Sequence, residues 1–230
     1  MKRYIKQILP IIMMAVMVVG LTGCGVVKSG TTEYNELVAL VQGVQSAAAN
    51  FQLVTDTQYA KIQAKTQITQ DYYDAVNNSG EVWTGNFRSQ ADALTDLLKN
   101  YRDENGQPLD PTQLDLNELQ NKGALPSDIG QGFSLYVNAI TQAPPPVPDA
   151  QVTIALGDTV DEAMNTIQLA GTDWNDAVEA YNTRRAQIKG EIVARVSAYF
   201  GFELPVTFPY YQGGNAGQPI VNPLATTPTP

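Results

Sequence analysis

The 230-residue chain contains no histidine and a single cysteine, Cys24. The missing histidine removes the commonest general base, the commonest metal ligand and every Ser-His or Cys-His nucleophile pair. One cysteine excludes an intramolecular disulfide. Basic residues are scarce as well, 14 against 23 acidic ones, for a formal net charge of −9. Binding phosphates requires a basic patch, so nucleic acid is not an expected partner. Of the catalytic chemistries only a carboxylate-based one stays open. The expectation is a protein that is not an enzyme, with no cofactor and no metal site.

What the chain does have begins at its N-terminus. Lys2, Arg3 and Lys6 precede a stretch, Ile8–Leu21, that is apolar almost throughout, and small residues follow just before Cys24. A charged start, an apolar run of roughly 7–15 residues and a small-residue exit form a secretory signal. A membrane-spanning helix needs roughly 20 apolar residues, and Thr22, Lys28 and Ser29 cut this run short. Leu21-Thr22-Gly23-Cys24 resembles the lipobox of bacterial lipoproteins. That resemblance implies cleavage between Gly23 and Cys24, a diacylglyceryl group on the Cys24 thiol and palmitate-type acylation of the new amino terminus. Each acyl chain contributes about 0.8 kcal/mol per buried CH₂, so several chains anchor far more firmly than one. In a Gram-negative envelope Gly25 resembles the residue pattern sorted to the outer membrane. The exported domain then faces the periplasm or the outside.

Removing Lys2, Arg3 and Lys6 from the 14 basic residues leaves 11 against 23 acids, a formal charge of −12 on about 206 exported residues. Such a surface keeps a tethered domain soluble and off an anionic bilayer. The length suits one large domain or two small ones.

After a Gly/Ser/Thr tether over 24–32, apolar residues recur at three-and-four spacing: Tyr34, Leu37, Val41, Val44, Ala48 and Phe51, then more thinly Tyr59, Ile62, Tyr72 and Val76. With no proline and only Gly43 in between, this predicts a helix of about 43 residues and about 65 Å. Asn77-Asn78-Ser79-Gly80 ends it. A second helix is predicted from Asn86 to Tyr101, and Asp103-Glu104-Asn105-Gly106 is a turn signal. Asp110, Pro111 and Gln113 have the spacing of an N-cap, a first-position proline and a capping-box partner for a short helix over Leu114 and Leu119. Ile129–Ile140 is a further helical segment, and Pro144–Pro148 is a stiff polyproline connector. The clearest periodicity runs from Val152 to Tyr199 through Leu156, Val160, Ala163, Ile167, Trp174, Val178, Tyr181, Ile188, Ile192, Val196 and Tyr199, with Gly171 on the stripe. Gly201 is a left-handed C-cap candidate. The fold class is all-α, an elongated antiparallel four-helix-type bundle with two long helices, preceded by a signal peptide.

Tyr34-Asn35-Glu36-Leu37-Val38 opens the first helix; Ala180-Tyr181-Asn182-Thr183-Arg184 lies in the last; Phe200-Gly201-Phe202 closes it, with Phe208 soon after. In this order they resemble the LemA family of membrane-anchored bacterial proteins. The resemblance implies an N-terminal membrane segment followed by an antiparallel four-helix bundle, and it brackets Tyr34–Phe208. The basic, proline-containing stretch common in that family is absent, since Tyr59–Asp74 has only Lys61 and Lys65 and no proline. The expected organisation is a signal peptide over 1–23, the tether over 24–32, a LemA-like helical bundle over 33–208 and a disordered tail over 209–230.

The candidate interaction residues are Tyr34, Asn35, Tyr181, Asn182 and Arg184, which meet only if the first and last helices pair along their length. A tyrosine at such a position also fits the bundle core, its hydroxyl reaching the rim. Asp103, Asn105 and Asp110 lack the spacing of a calcium loop and read as a turn. The leading function is a membrane-anchored, non-enzymatic envelope lipoprotein of the LemA type, a protein-interaction or structural module with an envelope protein as partner. The alternative is a carrier holding a small apolar ligand between helices. Paired carboxylates would require at least two of Asp161, Glu162, Asp173, Asp176 and Glu179 to converge.

Overall fold

A computed structural model describes residues 24–77, 86–142, 150–199, 201, 203–205 and 207–213. The signal-like leader with Gly23, Trp83, the polyproline connector and residues 214–230 lie outside the described residues. Those described are all-helical, with an isolated bridge between Arg102 and Pro108 and no strand. Six α-helices follow one another: α1 (Cys24–Asn77), α2 (Asn86–Lys99), α3 (Leu116–Asn121), α4 (Pro126–Gln142), α5 (Ala150–Ala186) and α6 (Ile188–Tyr199).

Helix α1 has 54 residues and spans about 80 Å. The segment expected as a tether over 24–32 is helical and continuous with the rest of α1. Its inward stripe is Leu37, Val44, Ala48, Phe51, Thr55, Tyr59, Ile62, Thr66 and Thr69, all buried. The apolar pattern thins after Phe51 because threonines take core positions. Their hydroxyls turn back to their own helix, Thr55 Oγ1 donating to the Phe51 carbonyl (2.8 Å) and Thr69 Oγ1 to that of Lys65 (2.9 Å). The methyl group is left to pack. By length and composition alone, Gly30–Tyr72 within α1 is apolar enough to cross a membrane. Its buried stripe is occupied by protein.

Helix α5 buries the predicted series from Leu156 through Val160, Ala163, Ile167, Trp174 and Val178 to Tyr181, whereas its continuation in α6 does not hold, Ile188, Ile192 and Tyr199 being exposed; α1 and α5 run antiparallel over much of their length. Lys61–Glu162 (2.8 Å) marks one end of the pairing and Arg184–Glu33 (2.8 Å) the other. Helices α2 and α4 form a second antiparallel pair. Phe87 lies on Tyr136 with ring centroids 5.3 Å apart, and Tyr101 Oη donates to the Ala124 carbonyl (2.7 Å). Tyr59 joins the pairs, its ring at 4.9 Å from Tyr136 and its hydroxyl donating to the Ala91 carbonyl (3.0 Å).

Two local expectations change. Asp110 caps a single 3₁₀ turn, Pro111–Gln113, by accepting from the Thr112 N–H, whereas Asp115 caps α3 by accepting from Asn117 and Glu118. Two caps five residues apart share the work predicted for one. The long final helix is also two helices, broken at Gln187. A side chain at Gly190 would strike the Arg184 carbonyl, so the first turn of α6 packs on the last turn of α5 where only glycine fits. Gly201 does take the left-handed conformation expected of it, at φ +84°.

Candidate functional site

Trp174-Asn175 and Tyr181-Asn182 are two aromatic–asparagine pairs seven residues apart on α5. Seven residues are two helical turns, so both pairs present the same face about 10.5 Å apart. A strap of residues 203–205 and 207–213 crosses this face antiparallel to α5. Asn182 Nδ2 donates to the Phe208 carbonyl (2.9 Å) while its Oδ1 accepts from the Phe208 N–H (3.1 Å). Asn175 repeats the arrangement with Tyr211, at 2.9 and 2.7 Å. Each side-chain amide therefore stands in for a neighbouring peptide group. Three extended residues span about 10 Å, which matches the two-turn spacing of the asparagines.

The aromatic members treat the backbone differently. Trp174 Nε1 donates to the Pro209 carbonyl (3.0 Å), and Tyr181 Oη donates to that of Pro205. Indole N–H is a donor only, and proline offers a carbonyl with no N–H. Trp174 and Tyr181 thus donate to residues that offer only an acceptor, and two-way amides meet residues that carry both groups. Burial raises the Tyr181 hydroxyl to about 12, with Arg185 beside it pulling the other way.

Side chains complete the seat. Phe208 is buried between Tyr181 (5.3 Å between centroids) and Trp174 (6.2 Å). The Tyr211 ring slots between α4 and α5, against Phe51 at 5.2 Å. A methyl group on either Gly130 or Gly171 would overlap this ring. Residues 209–211, expected in the tail, are held instead, through the Pro209 carbonyl and the Tyr211 ring. Gly171, on the predicted stripe, admits a tyrosine ring. The Tyr211 hydroxyl is buried without a hydrogen-bond partner among the described residues, and burial pushes it up to about 12.

Of the sequence-predicted residues, Tyr181 and Asn182 thus belong to the strap seat. Arg184 lies at the same end of α5 and ties it to α1 through Glu33 and Glu36. Tyr34 is half-buried and Asn35 exposed on the first turns of the α1 pairing. Cys24 is the first residue of α1. Of the neighbouring basic residues, Arg185 and Arg195 both pair with Glu191. Asn175, Trp174 and Tyr211 were not singled out as site residues. The repeat of an aromatic–asparagine pair at a seven-residue interval was the available signal.

Elsewhere the chemistry is structural. Asp103 Oδ1 accepts from the backbone N–H of Asn105 and Gln107, which makes the Asp103–Gly106 segment a turn. Glu162, Asp173, Asp176 and Glu179 are exposed, and Asp161 half-buried, with Glu162 paired to Lys61. No group of three or more metal-ligating side chains occurs among the described residues. A groove of about 780 Å³ between α1 and α5 is open to solvent and rimmed by Glu36, Asp176, Glu179 and Arg184. Comparisons with protein-family models, curated proteins and solved structures give no match.

Proposed function

We propose that this chain is a lipid-anchored envelope protein of the LemA type, attached through Cys24, whose antiparallel four-helix-type bundle acts as a non-enzymatic protein-interaction or structural module. The carrying observation is the continuity of α1, whose described residues run unbroken as helix from Cys24 into the core. A lipid at its first residue is joined to the bundle by continuous helix instead of a loose linker, so the anchored domain stands out from the membrane.

Two further features support this reading. Helix α6 packs on α1 at the end of the pairing where α1 begins, and it exposes Ile188 (80%), Ile192 (57%) and Tyr199 (70%) along one face, with Arg195 among them. Apolar and basic side chains together suit the headgroup layer beside an anchor. The acids gathered along the α1–α5 groove give an exposed surface of one dominant sign, which favours a basic partner face.

The test is capture of the lipidated chain from its native envelope beside a Cys24→Ala form. A protein enriched with the anchored chain supports the reading. Background recovery with both forms overturns it.

A further inference from the structure

We propose that the Trp174-Asn175/Tyr181-Asn182 face of α5 is a peptide-binding site for an extended aromatic–proline–x–aromatic segment, that the chain's own Phe208-Pro209-Tyr210-Tyr211 is its resident occupant, and that a segment of the same pattern on a partner protein takes its place. The proposal rests on the reading of the molecule as an interaction module and names the chemistry of what it binds.

Recognition at this face is mainly of backbone. Asn175 and Asn182 pair both polar groups of two residues three apart, and Trp174 reads the carbonyl of the proline between them. None of these bonds depends on belonging to the same chain. Main-chain bonds supply affinity to any extended segment, and pockets for particular side chains supply selectivity. Two pockets are present. One is the aromatic notch of Trp174 and Tyr181 around Phe208, and the other is the slot between Gly130 and Gly171 that accepts a six-membered ring.

The resident segment fits imperfectly. Its Tyr211 hydroxyl enters the slot with no partner among the described residues. A buried, unpaired hydroxyl is a penalty that phenylalanine avoids, so a competitor with phenylalanine there binds about tenfold more tightly than the resident sequence. Against this the resident holds the advantage of tethering, an effective concentration on the order of millimolar for a short connection. The resident thus keeps the site filled until a better or more abundant segment arrives. Residues 207, 209 and 210 of the strap are exposed, so its outer edge is open to solvent while it sits in place.

The experiment uses the full chain carrying Phe208→Ala and Tyr211→Ala, which weakens the resident, and a fluorescein-labelled peptide of the sequence 203–212. Saturable anisotropy binding is expected, about tenfold tighter for the peptide carrying Tyr211→Phe, and weakened at least about tenfold when Asn175→Ala and Asn182→Ala are added. Absence of binding to a variant with intact helical circular dichroism overturns the proposal, as does binding indifferent to the asparagines. Should the double variant fail to fold, the native chain is given the Tyr211→Phe peptide at millimolar concentration. Faster hydrogen exchange at the Phe208 and Tyr211 amides supports displacement, and unchanged exchange overturns it. A concentration-dependent dimer of the native chain with exchanged straps assigns the occupant to a second copy and overturns the partner reading. An envelope partner captured equally with or without excess peptide would sink this site while leaving the module reading intact; peptide binding with no envelope partner would do the reverse.

Discussion

Asn182 directs both halves of its amide at a single residue, and that makes its substitutions unequal. In Asn182→Ala the Phe208 N–H and carbonyl lose their partners together, a loss of about 1–3 kcal/mol in a partly buried setting. For a domain of this size the midpoint falls about 2–4 °C per kcal/mol. Asn182→Asp keeps the acceptor for the N–H but sets a carboxylate against the Phe208 carbonyl. At neutral pH it should melt below Asn182→Ala. The folded state then favours the protonated acid, which can donate. Its pKa is raised, stability is present at low pH, and it is lost as pH rises through the carboxylate range. Thermal melts at pH 3 and pH 7 check this reversal, and equal responses of the two variants would refute the two-way pairing.

Tyr211 and Tyr181 supply the alkaline counterpart. Both hydroxyls are pushed from 10.0 to about 12, chiefly by burial. The folded chain holds these protons more tightly than the unfolded chain, so the stability involved is fully present below pH 10. It is lost as pH climbs from 10 toward 12. Tyr211→Phe should shrink that loss and also raise the melting midpoint at pH 7, because it removes a buried hydroxyl without a partner among the described residues. Ultraviolet titration of tyrosinate beside circular dichroism separates ionisation from unfolding. A lower midpoint at pH 7 would show that the hydroxyl is satisfied after all.

At the scale of elements, two glycines in helices predict opposite outcomes. Around Gly43 in α1 there is open space, so Gly43→Ala should gain about 0.5–1 kcal/mol from helix propensity alone. Gly171 in α5 has the Tyr211 ring where a Cβ would be, so Gly171→Ala should expel the ring and lower stability despite the same propensity gain. Urea melts of the two variants test the pair, and a Gly171→Ala protein as stable as the parent would place Tyr211 elsewhere.

The legibility of each element follows from what signals it. Helix α5 could be read because its buried face is apolar at every step from Leu156 to Tyr181. Helix α1 was readable to Phe51 and then dimmed, since Thr55, Thr66 and Thr69 satisfy their hydroxyls internally and so pass as core residues. The break at Gln187 leaves the three-and-four pattern almost undisturbed, so periodicity carried the helix through it. The strap was missed for a different reason. Its prolines, threonine and glycine have the composition of a tail, and its order comes from the side-chain amides of a helix about 30 residues upstream, a pairing that local sequence does not display. Tyr181 and Asn182 were visible as a pair, but the strap that they hold lies partly in sequence assigned to disorder.

For the whole molecule, the proposed anchor and the bundle should be separable. The described packing begins at Glu33 and Leu37, one turn or more beyond Cys24, and continues to Tyr211. The acidic excess is spread over an exposed surface, where single ion pairs such as Lys61–Glu162 contribute little and salt screens them. Stability therefore resides in the apolar stripes and the strap, and the proposed anchoring would place location in Cys24. Cys24→Ala should leave the melting midpoint of the helical domain within about 0.5 kcal/mol of the parent, as expected for a change outside the packed core. The same substitution should abolish incorporation of labelled palmitate and move the chain from the membrane fraction to the soluble one. Retention of label or of membrane association by Cys24→Ala would remove the lipid from Cys24. An unfolded Cys24→Ala domain would show instead that the start of α1 belongs to the core it was expected only to tether.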